Sequence, residues 1–200
     1  MTDKDSAEKG LRVLLVDEDR GRAALLEQAL CDAGYQVIAR AATHDNLALR
    51  VQQHQPDVIL IDLDSPDRDT LEQMHSISRD QPRPIVMFAE DQGRESIHKA
   101  IKAGVSAYIV DGLSSQRVKP VVEVAIARFR EYQALRDELF RARSTLEGRK
   151  LIDQAKGLLM QRQGMDEAAA YRALRTLAME RSQKLSEVAR DVIELMTLLK

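Results

Sequence analysis

The sequence predicts an α/β fold: a doubly wound, five-stranded parallel sheet, then a long coiled-coil helix and a small all-α domain of three helices. Three observations carry this. Short apolar runs alternate with helical segments over roughly the first 120 residues, and strands that are apolar along their length are those buried on both faces, as in a parallel sheet. Alternation of that kind gives βα units and a doubly wound sheet. After Gly112 the strand signals stop. From there a helical spacing of apolar residues runs further than one small sheet needs.

In chain order, Leu11 to Val16 reads as the first strand and leads into the acidic cluster Asp17, Glu18, Asp19. Arg22 to Ala33 is helical, with Gly34 placed to close it. Tyr35 to Ala39 is the second strand, and His44 to His54 a helix stopped before Pro56. Asp57 to Ile61 is the third strand, ending in Asp62, followed by a helix from Thr70 to Arg79. Pro84 to Phe88 is the fourth strand, Arg94 to Ala103 a helix closed by Gly104, and Ala107 to Val110 the fifth strand.

Val118 to Leu146 reads as one long helix, with Pro120 tolerated in its first turn. Val122, Ala125, Phe129 and Tyr132 follow a 3-4-3 spacing, and Leu135, Leu139, Ala142 and Leu146 a 4-3-4 spacing. The spacing suits a short dimeric coiled coil; the alternative is one amphipathic helix packed on its own domain. Three helical blocks follow: Arg149 to Gln163, Asp166 to Met179 with Asp166 as N-cap, and Ser186 to Leu199. None buries its apolar face alone, so they form a bundle with Leu158, Leu159, Met160, Leu174, Leu177, Val188, Ile193 and Leu195 inside. The resulting division is 1–120, 121–147 and 148–200.

Composition excludes several classes. No stretch approaches the roughly 20 apolar residues of a membrane span, and the polar start, Met1 to Gly10, lacks the apolar core of a secretory signal. A cytoplasmic protein is expected. The single cysteine, Cys31, forms no internal disulfide and reads as a small buried helix residue. His44, His54, His75 and His98 have no metal-ligand spacing. Met1 to Glu147 carries 20 Lys and Arg against 25 Asp and Glu, a net of −5, whereas Gly148 to Lys200 carries 10 against 7, a net of +3. That asymmetry suits an acidic regulatory part and a basic part facing nucleic acid.

Asp17, Glu18 and Asp62 sit at strand ends, where open α/β sheets place their sites. Three carboxylates make a hard-oxygen set able to hold Mg²⁺, and Asp62, closing the central apolar strand, is best placed as a nucleophile. No other catalytic set is present, and an enzyme is not expected.

The first 120 residues resemble the receiver domain of response regulators, on the strength of LLVDED and ILIDLDSPDRD. The resemblance implies that Asp62 is the phosphoacceptor position and that Asp17, Glu18 and Asp62 form the metal site. Two positions depart from the family pattern. Phe88 stands where a Ser or Thr contacts the phosphoryl group, and Asp111 stands where a Lys pairs with it. A phenyl ring donates no hydrogen bond and a carboxylate repels an aspartyl phosphate, so control by a binding partner is expected over control by phosphorylation.

The segment from about Arg149 to Leu199 resembles the ANTAR domain, an RNA-binding antitermination module, through AKGLLM, EAAAYRALR and KLSEVA. The whole is similar to the AmiR/NasT family, in particular its nitrate-assimilation branch. This implies a homodimer that binds paired hairpins of a leader RNA, lets RNA polymerase read through, and is held by a nitrate-sensing regulatory protein of the NasS type. Candidate RNA contacts are Lys156, Gly157, Tyr171, Arg172, Arg175, Arg181 and Lys184, with Gln161 and Gln183 as base readers. Tyr171 is either a stacking platform or a core residue, and Gly157 would allow a close helix or RNA approach. The alternative is a phosphorylation-controlled regulator whose helical output binds DNA or protein.

Overall fold

A computed structural model describes residues 10–110 and 115–198, with backbone alone for Ser115 and Gln116. The polar start up to residue 9 and Asp111 therefore lie outside the described residues. The chain divides into two units, Met1–Tyr132 and Gln133–Lys200.

The first unit alternates β1 (Arg12–Asp17), α1 (Arg20–Asp32), β2 (Gln36–Ala41), α2 (Leu47–His54), β3 (Val58–Leu63), α3 (Arg68–Asp80), β4 (Ile85–Ala89), α4 (Arg94–Lys102) and β5 (Ala107–Val110). All pairings are parallel, in the order β2-β1-β3-β4-β5. Every residue of the central strand β3 is buried, whereas the edge strands β2 and β5 are only partly so. Side chains alternate across the sheet. Leu14, Val16, Ile59, Ile61, Ile85 and Met87 pack with Leu47, Val51, Met74, Ile77 and Ala100 from α2, α3 and α4. Val13, Leu15, Leu60, Val86 and Phe88 pack with Ala23, Leu26 and Leu30 of α1. The same face is covered by Val118, Val122, Ala125 and Ile126 of the next helix, α5 (Ser115–Gln163).

The helix boundaries follow their caps. Gly34, at φ +88, closes α1, its N–H bonding to the Cys31 carbonyl at 3.0 Å and that of Tyr35 to Leu30 at 2.9 Å. α2 begins at Leu47, three residues later than expected, because the Asn46 side chain accepts from Leu49 N–H at 3.0 Å and so sets the N-cap. Cys31 is exposed, not buried: its neighbours Ala29 and Leu30 face the sheet and it turns outward.

Residues 118–146 and 149–163, expected as two helices, are one. An interior glycine costs a helix only about 1 kcal/mol, so Gly148 does not stop it; a Cβ there would make only ordinary contact with Ser186, at 3.4 Å. Along α5 the apolar positions expected for a coiled coil fall into two groups. Val122 and Ala125 are fully buried on the sheet of their own unit. Tyr132, Leu135, Leu139, Phe140 and Leu146 are all more than half exposed.

In the second unit the end of α5 packs with α6 (Glu167–Arg181) and α7 (Leu185–Leu198). Its core is small and alanine-rich: Ala155, Leu159, Ala170, Leu174, Ala178, Val188 and Ala189, flanked by Leu151, Ile152, Leu177 and Ile193. Met160 and Leu195, expected inside, are exposed, and Leu158 is half-buried. With alanines at the contacts the buried stripe is narrow, so a residue one position past Leu159 or two past Ile193 already faces out. No helix among the described residues is long and apolar enough to cross a membrane. Leu159 and Leu174 are the largest side chains buried at this centre, and Leu174 is the more deeply buried at 1% exposure. Leu174→Ala should cost about 2–5 kcal/mol, read as an early loss of helical circular dichroism in urea.

Candidate functional site

Parallel register builds the acidic pocket. Asp17 on β1 lies opposite Asp62 on β3, which lies opposite Phe88 on β4. All three alternate onto the α1 side of the sheet. The Asp17 side chain is fully buried and that of Asp62 nearly so. The next residue past the acidic cluster that matters is Arg22, in the first turn of α1. Its Nη2 lies 3.0 Å from Asp17 Oδ1, its Nε 3.4 Å from Asp62 Oδ2, and its Nη1 3.4 Å from Asp64 Oδ1. Asp19 sets this geometry as the N-cap of α1, accepting from Gly21 N–H at 2.7 Å and Arg22 N–H at 2.9 Å.

Burial raises the Asp62 carboxyl to about 6; Arg22 opposes this, and Asp17, Asp64 and Glu90 add to it. Arg22 is held more firmly protonated, chiefly by its hydrogen bond to Asp17. Glu18 does not join them: its exposed carboxylate accepts from the Thr43 hydroxyl, just past the end of β2. Among the described residues no three His, Cys, Asp or Glu come together as a metal-ligand set. The carboxylates expected to hold Mg²⁺ thus do not fit it as they stand, one being turned away and the other two engaged by a guanidinium. Phe88 is 1% exposed and packed in the core. Neither it nor Ala89, which ends β4, carries a side-chain donor.

The helical unit places the second group of candidates. Lys156 is not a free cation. Its Nζ lies 2.8 Å from both Asp153 Oδ1 and Glu167 Oε1, its side chain is 16% exposed, and it ties α5 to the start of α6. Asp153 first and Glu167 next hold it more firmly protonated. Neither partner was evident from sequence, although the i,i+3 spacing of Asp153 and Lys156 is a usable signal. A Cβ at Gly157 would meet nothing within 4 Å, so among the described residues no other segment packs against it. Tyr171 is 43% exposed and outside the core, which removes the core reading. Arg172 and Arg175 are exposed on the same stretch of α6. Residues three and four apart share a helix face, so the three form one surface. Arg181 pairs with Asp191 at 3.5 Å. Lys184, Gln161 and Gln183 are exposed, the Lys184 N–H donating to the Glu187 carboxylate at 3.1 Å at the start of α7.

Comparison with known proteins matches residues 13–123 to the response regulator receiver domain and residues 141–193 to the ANTAR domain. The transcriptional regulatory protein PdtaR of Mycobacterium tuberculosis is 32% identical over 193 residues, covering 96% of this chain and 94% of that one. The nitrate regulatory protein of Klebsiella oxytoca is 36% identical over 83 residues, 42% of this chain and 21% of its own. Among solved structures, a CheY-like receiver domain protein of Methanospirillum hungatei aligns with a TM-score of 0.53 at 21% identity, over 62% of this chain and 98% of that chain. The receiver domain of a diguanylate cyclase from Desulfovibrio desulfuricans does so with 0.53 at 22%, over the same shares. At those identities the likeness shows the fold alone.

The raised Asp62 carboxyl makes its charged form a cost to the folded state that is absent below the ordinary value near 3.8 and complete above about 6. Asp62→Asn should therefore stabilise the protein by roughly 1–2 kcal/mol at neutral pH, with the gain fading as pH falls from 6 to 4. Urea melts at pH 7.5 and pH 4 check this; an equal difference at both would contradict it.

Proposed function

The chain belongs to the response regulators that join a receiver domain to an ANTAR domain, and on that premise we propose that it is a transcription antiterminator whose helical unit binds paired hairpins in a leader RNA. The carrying observation is the α6 surface of Tyr171, Arg172 and Arg175, exposed side by side within the ANTAR match. Arg guanidinium planes and a phenol ring suit unstacked loop bases, and the two positive charges suit phosphates. Arg181, paired with Asp191, and Lys184 lie at the C-terminal end of α6 and beyond it, and add positive charge there. Lys156 acts at one remove, by holding α6 in place.

The active form is a homodimer, paired through the apolar seam Leu135, Leu139 and Leu146 that α5 leaves exposed. Two linked RNA-binding units gain affinity through effective concentration when the target holds two hairpins. Stabilising those hairpins in place of a terminator lets RNA polymerase read on. The similarity to a nitrate regulatory protein supports nitrate- or nitrite-assimilation operons as targets and a nitrate-sensing regulatory protein as the cytoplasmic partner. Control by that partner, not by phosphorylation, is supported by a β4 end without a side-chain donor and by the ion-paired Asp62.

The test is fluorescence anisotropy of the full chain with a two-hairpin leader RNA over a salt series, with a scrambled RNA and duplex DNA as controls. Loop-dependent binding to the RNA alone is expected; binding to the duplex instead would favour a DNA-binding output. Arg172→Ala with Arg175→Ala should weaken binding and make the salt slope shallower by about two at unchanged melting temperature. Lys156→Ala should lower the melting temperature as well as the affinity. Asp62→Ala should leave read-through largely in place in a transcription assay, and a complete loss in a folded variant would favour phosphorylation control. Leu139→Lys with Leu146→Lys should give monomers in sedimentation, and an unchanged assembly would rule out this seam.

A further inference from the structure

The receiver fold brings two carboxylates to adjacent strand ends, and this chain meets them with a side chain of its own. Asp17 and Asp62 are register partners, both almost wholly out of solvent. Buried like charges in such proximity need a cation beside them. The Arg22 guanidinium supplies it with more than one contact. Its Nη2 lies 3.0 Å from Asp17 Oδ1 and its Nε 3.2 Å from Asp17 Oδ2, a two-oxygen grip on one carboxylate. The same Nε reaches Asp62 Oδ2 at 3.4 Å, and Nη1 reaches Asp64 Oδ1 at 3.4 Å. The planar fork of arginine suits this task better than the point charge of lysine.

The arginine is also held from behind. Asp19 N–H donates to Asp17 Oδ1 at 2.8 Å, Asp19 Oδ1 accepts from Gly21 and Arg22 N–H, and Ala23 N–H donates to the Asp19 carbonyl at 2.9 Å. The buried Ala23 and Leu26 then fasten the helix to the sheet. The strand end, the cap and the first turn of α1 therefore form one hydrogen-bonded unit with the guanidinium as its outer face, where the side chain is 38% exposed. Glu18, the third acidic residue of the cluster, is drawn off to Thr43.

We propose that Arg22 is the resident cation of this pocket and excludes a divalent metal ion from it. A divalent ion needs the same carboxylate oxygens at close range and would face a fixed positive charge a few ångströms away. The metal dependence expected of a receiver pocket is thereby removed by one residue on α1. This holds whatever the helical unit binds, and the test does not involve RNA.

The test is Mn²⁺ binding to the purified full chain at low salt, followed by the loss of the free-ion paramagnetic resonance signal. The wild-type protein should show no saturable binding. Arg22→Ala should acquire a site at least about tenfold tighter, and Arg22→Lys, which retains the charge, should stay near wild type. Adding Asp17→Asn and Asp62→Asn to Arg22→Ala should abolish the acquired binding, and binding that survives them would place the metal elsewhere and overturn the proposal. Arg22→Met serves as the neutral variant if circular dichroism shows that Arg22→Ala is unfolded. Saturable wild-type binding that disappears in Asp62→Asn overturns the proposal, and so does the absence of acquired binding in a folded Arg22→Ala or Arg22→Met.

Discussion

Two carboxylates buried at neighbouring strand ends impose a need for positive charge, and much of the first unit is arranged around meeting it. The parallel register places Asp17 and Asp62 side by side on one face. The residues before them on that face, Leu15 and Leu60, are apolar and buried, so neither side chain can turn inward to water. Charge must arrive from the solvent end of the strands, where α1 begins. The Asp19 cap fixes where that helix starts, and its first turn delivers Arg22. A shift of one residue in the cap would turn the guanidinium by about 100°, away from both carboxylates.

The second unit solves a different problem. Its core is built largely from alanines and a few leucines, which lets three helices approach closely but buries little area per residue. Polar cross-links make up for this. Lys156 joins α5 to α6 through Glu167, and the Arg162 guanidinium donates to the Met196 carbonyl, joining the end of α5 to α7. Because the buried stripe is narrow, most of α6 remains outside the core, and the outward surface is where Tyr171, Arg172 and Arg175 stand. The economy of the core and the exposure of this α6 surface are consequences of the same small residues.

Strand positions were legible in the sequence because a short, wholly apolar run such as residues 58–61 suits a strand covered on both faces of a parallel sheet. Asp17 and Asp62 were legible as a pair for the same reason, since each closes such a run. Arg22 was not, because its role depends on where the helix cap falls, and an arginine in a helix otherwise reads as a solvated residue. Glu18 was misplaced because strand-end position does not say which way the side chain leaves the loop. The motif around Lys156 does not separate a ligand contact from a structural ion pair. The spacing of Met160 and Leu195 suits a core only if the apolar stripe is wider than the one this alanine-rich bundle has. Cys31 shows that composition alone does not orient a residue on its helix.

On the reading proposed above, output resides on the outer surface of α6, while the acidic pocket is a scaffold whose buried carboxylates Arg22 engages. Photo-crosslinking tests it most directly: a two-hairpin leader RNA carrying 4-thiouridine in its loops, irradiated with the full chain and mapped by mass spectrometry. The account predicts crosslinks in the peptide that contains Tyr171 and Arg172. Crosslinks confined to residues of the first unit, or distributed without preference between the units, would contradict it.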